Sequence, residues 1–146
     1  AKSLFSEDCN QFKDAFSYVK FNKKYQIGDY VIYEILCRAA AYNGITRWFK
    51  QVGDGSFAPI SFPMPNLEKT SSGQFIIAGF RDENELVNSE FDYKTQSVIS
   101  IDNWTGSGEA SERGEWEFRG GSFVFSKYLV DETYDGEVNP ILVGEE

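Results

Sequence analysis

The sequence contains no histidine. That absence removes the commonest general base, the commonest metal ligand and every Ser-His or Cys-His nucleophile pair. Positive charge is scarce too: 14 Lys and Arg stand against 23 Asp and Glu, for a net charge of -9. A phosphate backbone is gripped by clustered Lys and Arg, so the balance argues against nucleic acid as a partner. No apolar run approaches the roughly 18 residues that a membrane span requires. Only two cysteines occur, Cys9 and Cys37. In an oxidising compartment a bond between them would tie the N-terminal segment to the sheet and stabilise the fold by about 2–4 kcal/mol. Reduced, both are small buried residues. The chain opens at Ala1 with no initiator methionine, which reads as removal either of a signal peptide or of the starting residue.

What the chain has in quantity is aromatic: 13 Phe, 8 Tyr and 3 Trp, a composition that favours half-buried pleated surface over helix. The organising stretch runs from Phe91 to Val130. Within it, residues 97–104, 115–118 and 122–130 alternate bulky and polar side chains and are parted by the glycine-rich segment 106–114 and by Gly120-Gly121. This pattern predicts an antiparallel meander. Gly120 and Gly121 supply the positive φ angles of a tight hairpin, so Trp116 and Phe118 are expected to pair on one face with Phe123 and Phe125.

Upstream, Cys9, Phe12, Phe16 and Val19 recur at helical spacing behind Ser6-Glu7-Asp8, which predicts an amphipathic helix over about 6–19 capped by Ser6. Residues 29–41 alternate with both faces largely apolar, the mark of a central strand. Asn43-Gly44 is the strongest short hairpin signal and returns the chain through 45–52. Pro59, Pro63 and Pro65 remove ladder donors and confine 57–67 to a sheet edge or an extended wall. Residues 74–80 read as a short strand bounded by a charged loop over 81–85, residues 93–96 as a turn, and Ile141, Leu142 and Val143 as a last apolar trio. One domain over 1–146 is expected, mainly β, with its sheet over about 29–143. Roughly eight or nine short strands would form a meander-type barrel or sandwich beside one N-terminal helix.

Glu115 and Glu117 share a strand face, as a glycosidase carboxylate pair or as a solvated stripe. Cys37 as a nucleophile would need a cationic neighbour such as Arg38, whose side chain is expected on the opposite face of the strand. The acids around Asp135-Gly136 lack the spaced oxygen ligands of a calcium loop, so a solvated turn is expected, with no metal and no cofactor. Trp48, Trp104 and Trp116 are either core rings or, exposed together, a platform for stacking sugars.

Two clusters are similar to the signatures of an uncharacterised bacterial family of secreted or periplasmic domains of unknown function. The first is Cys37 followed by Ala41-Tyr42-Asn43. The second is a Gly-x-Gly loop at Gly106 and Gly108, an aromatic pair at Trp116 and Phe118, then Gly120 and Phe123. The resemblance covers about 37–125 and implies export and a β-rich fold, and it brings no activity. The family loop continues with Asp-Cys-Gly where this chain has Glu109-Ala110-Ser111. The family's loop disulfide is therefore absent, and the resemblance leaves a Cys9–Cys37 bond to replace it. Tyr42 and Asn43 thereby join Trp48, Trp104 and Trp116 as candidate binding residues.

The expected function is that of a non-enzymatic, secreted or periplasmic binding domain, an acidic inhibitor or immunity-type partner of a basic cell-wall hydrolase. The alternative is a module that binds a glycan or small ligand through exposed aromatics.

Overall fold

The computed structural model describes residues 23–39, 43–53, 55–104, 110–132 and 141–145. The expected helix over 6–19, Cys9 and Tyr42 lie outside the described residues. Within them the chain is all β and antiparallel. The strands are β1 (Lys23–Ile27), β2 (Tyr30–Ala39), β3 (Gly44–Gln51), β4 (Phe57–Pro59), β5 (Phe62–Lys69), β6 (Phe75–Glu83), β7 (Glu85–Val87), β8 (Glu90–Asp92), β9 (Ser97–Asn103), β10 (Ser111–Arg119), β11 (Ser122–Asp131) and β12 (Ile141–Glu145).

The first sheet runs β1-β2-β3, and the far edge of β3 is shared. β4 pairs with Phe49–Gln51 and β7 with Ile45–Arg47. The second sheet is the meander β8-β9-β10-β11-β12. β5 and β6 form a separate hairpin that packs against β11 and β12. Among the described residues neither sheet closes on itself, so of the two expected architectures the closed barrel is not seen there. The two open sheets share a core built from Ile32 and Trp48 of the first, Val98, Trp116, Phe118 and Phe123 of the second, and Phe62 of the hairpin. Ring contacts stitch these together, with Trp48 to Phe123 at 6.3 Å and Phe62 to Trp116 at 5.5 Å between centroids. Offset and edge-to-face pairs of this kind add to the benefit of burial alone.

The β10–β11 hairpin matches its sequence signal. Gly120 and Gly121 adopt φ of 59° and 93°, Arg119 pairs with Ser122, and Trp116 and Phe118 face Phe125 and Phe123. β2 is an internal strand, paired on both edges. β5, which carries Pro63 and Pro65, pairs only with β6, as the missing proline donors require.

Three local expectations are corrected. Gly44 already pairs with Ala39 in the ladder, so Asn43-Gly44 is not a two-residue turn. Gly44 instead permits close packing, since a Cβ there would meet Leu36 Cδ1 at 3.1 Å. Gly114 is not part of a linker but lies inside β10, where a Cβ would sit 2.5 Å from Trp116 Cη2. The charged residues Arg81–Glu83 continue β6 rather than forming a loop, because they pair with Phe62–Met64 of β5.

Candidate functional site

Two polar constructions interrupt the apolar interior. The first surrounds Asn88 and Ser89, where the chain leaves the first sheet after β7 and enters the second at β8. Glu34, buried on β2, accepts the Tyr25 hydroxyl at 2.9 Å and the Ser89 hydroxyl at 2.7 Å. Burial pushes Glu34 above the usual carboxylate range, against the pull of those two hydrogen bonds. The Tyr25 hydroxyl is raised in turn, by burial first and then by Glu34.

The second is a cavity of about 320 Å³ between β6, β7 and the β9–β11 face, lined by Met64 and Leu86 and by the charged residues Arg81, Glu83, Glu85, Asp102 and Glu112. Asp102 and Glu112 stand directly opposite each other in the β9–β10 ladder. Glu112 is anchored at both oxygens: Tyr128 donates to Oε1 at 2.6 Å and Trp104 Nε1 to Oε2 at 2.9 Å. Asp102 is held above the ordinary carboxylate range, by burial first and then by the Glu112 charge. Burial, again followed by Glu112, raises the Tyr128 hydroxyl. Arg81 donates to Asn66 Oδ1 at 2.7 Å and lies 3.4 Å from Glu83, a half-exposed pair that screening makes weak. A hollow of the same volume between Gly73–Phe75 and Ile141–Val143 is lined by Val130, Ile141, Leu142 and Val143 together with Gln74, Phe75 and Glu132.

The tryptophans do not form a platform. Trp48 and Trp116 are fully buried, the first in a stretch of β3 buried on both faces and the second by the alternation of β10. Each indole N–H also finds an internal acceptor, Ser89 Oγ at 3.1 Å and Pro63 O at 2.7 Å. Trp104 is half-buried and bonded to Glu112. Of the two readings offered for these rings, core packing describes Trp48 and Trp116, and no exposed face is shared by all three. Asn43 is likewise a structural clasp: its amide nitrogen donates to Asn103 O at 3.1 Å and its oxygen accepts from Asn88 at 2.7 Å. Glu115 and Glu117 are both ion-paired, Arg113 and Lys127 with the first and Arg119 with the second; Glu117 is partly exposed, whereas Glu115 exposes only 16% of its side chain. No cysteine among the described residues is a free thiol. Among the described residues no group of three or more acids or cysteines is arranged to hold a metal ion, and no helix is long and apolar enough to cross a membrane.

Asp102, Glu112 and Tyr128 escape sequence reasoning because they converge only once three strands are aligned. One hint was available. Gly114, inside an otherwise bulky run, lies opposite Tyr128, and a glycine in a strand marks close approach by a neighbouring group. No protein-family model matches this chain, and comparison with curated proteins and with solved structures returns no similar chain.

Proposed function

We propose that this chain is a non-enzymatic binding domain, exported to a secreted or periplasmic location, that engages a basic protein in the manner of an inhibitor or immunity partner of a cell-wall hydrolase. Export rests on the resemblance carried by Cys37, Asn43 and the Trp116–Phe123 hairpin. The partner reading is carried by the acidic cavity, whose lining sets Glu83, Glu85, Asp102 and Glu112 against Arg81, beside the apolar Met64 and Leu86. A lysine or arginine side chain fits that chemistry, with its aliphatic stem on Met64 and Leu86 and its charged head among the carboxylates. The surplus charge of -9 would steer such a partner and make association salt-sensitive.

The experiment is calorimetric titration with lysozyme, as a basic cell-wall hydrolase, at low and moderate salt, together with an inhibition assay. Binding should weaken as salt rises, and the Glu83→Gln/Glu85→Gln variant should lose about tenfold in affinity, equivalent to about 1.4 kcal/mol. Absence of binding and inhibition at both salt concentrations would remove this reading.

A further inference from the structure

The oxygens beside Glu34 form a chain in which the hydrogens can be counted. Glu34 Oε2 lies 2.7 Å from Ser89 Oγ, Ser89 Oγ lies 2.5 Å from Thr46 Oγ1, and Thr46 Oγ1 lies 3.2 Å from the carbonyl oxygen of Leu86. Each contact joins two oxygens and needs one hydrogen between them. The hydroxyls of Ser89 and Thr46 bring one hydrogen apiece, so one contact is left without. Trp48 Nε1 places its own hydrogen on Ser89 Oγ, and Tyr25 places its hydroxyl hydrogen on Glu34 Oε1, so neither makes up the deficit. A proton on Glu34 Oε2 does. The chain then runs in one direction, Glu34 to Ser89, Ser89 to Thr46 and Thr46 to Leu86, with every contact closed.

With Glu34 ionised, Ser89 must turn its hydrogen to the carboxylate. Thr46 then either leaves the Leu86 carbonyl without its side-chain donor or faces Ser89 lone pair to lone pair. The first gives up a 3.2 Å hydrogen bond to a carbonyl of the β3–β7 ladder and the second sets two lone pairs against each other, so the neutral acid is the arrangement that keeps every contact.

We propose that Glu34 is held as a neutral acid and that its proton fastens the crossover between the two sheets, so that losing it as pH rises loosens the Asn88–Ser89 link. The groups that face Glu34 are Lys23 and Tyr25 of β1, Thr46 and Trp48 of β3, Ser89 of the link and Glu90 of β8, with Tyr93 beyond Tyr25. Lys23 favours the charged form and Glu90 opposes it, while burial, the largest influence, favours the neutral acid. The folded chain therefore holds this proton more tightly than the unfolded chain. The associated stability is complete below the ordinary glutamate range and is lost as pH climbs through the raised pKa of the folded state.

Two measurements test the proposal. Carbon NMR of the Glu34 side-chain carboxyl, assigned by through-bond correlation to its own backbone, should show the neutral acid persisting after the exposed carboxylates have ionised. Thermal unfolding of the wild type and of Glu34→Gln, from about pH 4 to about pH 8, should show the wild-type Tm falling by a few degrees relative to the variant. The variant's amide donates to Ser89 and accepts from Tyr25 without titrating. A Glu34 carbon that titrates together with the exposed carboxylates overturns the proposal, and so does a Tm difference that stays flat with pH. If Glu34→Gln does not fold, the wild-type carbon titration decides alone.

Discussion

Asn88 Nδ2 donates to Asn43 Oδ1 at 2.7 Å, fastening the end of the β2–β3 loop to the point where the chain changes sheets. The same Asn88 nitrogen donates to Ile101 O at 2.9 Å, Asn88 Oδ1 accepts from the Gly44 amide at 2.7 Å, and the Asn88 amide donates to Gly44 O at 2.7 Å. Asn88 sits at a φ of 48°, a left-handed conformation that asparagine tolerates better than most residues. Asn88→Ala should therefore destabilise the fold by about 1–3 kcal/mol, and Asn43→Ala by a comparable amount. Because the two share a contact, the double variant should cost less than the sum. Urea unfolding of the three proteins checks this, and strict additivity would show that the clasp is not one unit.

Gly114→Ala should destabilise by about 1–3 kcal/mol, because the new methyl meets the Trp116 ring at 2.5 Å and Tyr128 at 3.1 Å. Gly120→Ala tests a different cause. It has open space around its Cβ but a φ of 59°, so its cost should be smaller, about 1–2 kcal/mol. Near-ultraviolet circular dichroism separates them, since only Gly114→Ala should alter the environment of a buried indole.

Acrylamide should quench one tryptophan out of three. Trp48 and Trp116 are fully buried and Trp104 is half-buried, so Trp104→Phe should abolish nearly all quenching in the native state. Quenching that persists in that variant would place another indole within reach of solvent.

Ellman titration of the denatured, unreduced protein should find no free thiol, as expected if the two cysteines pair. Reduction should then lower stability by about 2–4 kcal/mol. Two reactive thiols per chain would refute the pairing.

Much of the fold was legible because its signals are local. The glycine pair at 120–121 and the alternation on either side specify the β10–β11 register residue by residue, and the prolines of β5 mark a strand with one free edge. The strand count fell short because β4 and β7 span only three residues each, too few for alternation to register, and because the polar β1 at Lys23–Ile27 precedes residue 29, where the sheet was expected to begin. The tryptophans carried two open readings until burial separated them. A ring on an alternating strand states which face it occupies, but not whether a second sheet covers that face.

The sequence alone determined the chemistry this protein lacks and the surface charge it carries: no imidazole, a net charge of -9, and pleated hairpins of alternating aromatics. Those properties follow from composition and from neighbours a few positions apart. Tertiary structure alone decided which polar groups meet, since Glu34 finds Ser89 across 55 positions and Asn43 finds Asn103 across 60. Such pairings depend on how two sheets are stacked and in what register, and the contacts that set the stacking lie far apart along the chain.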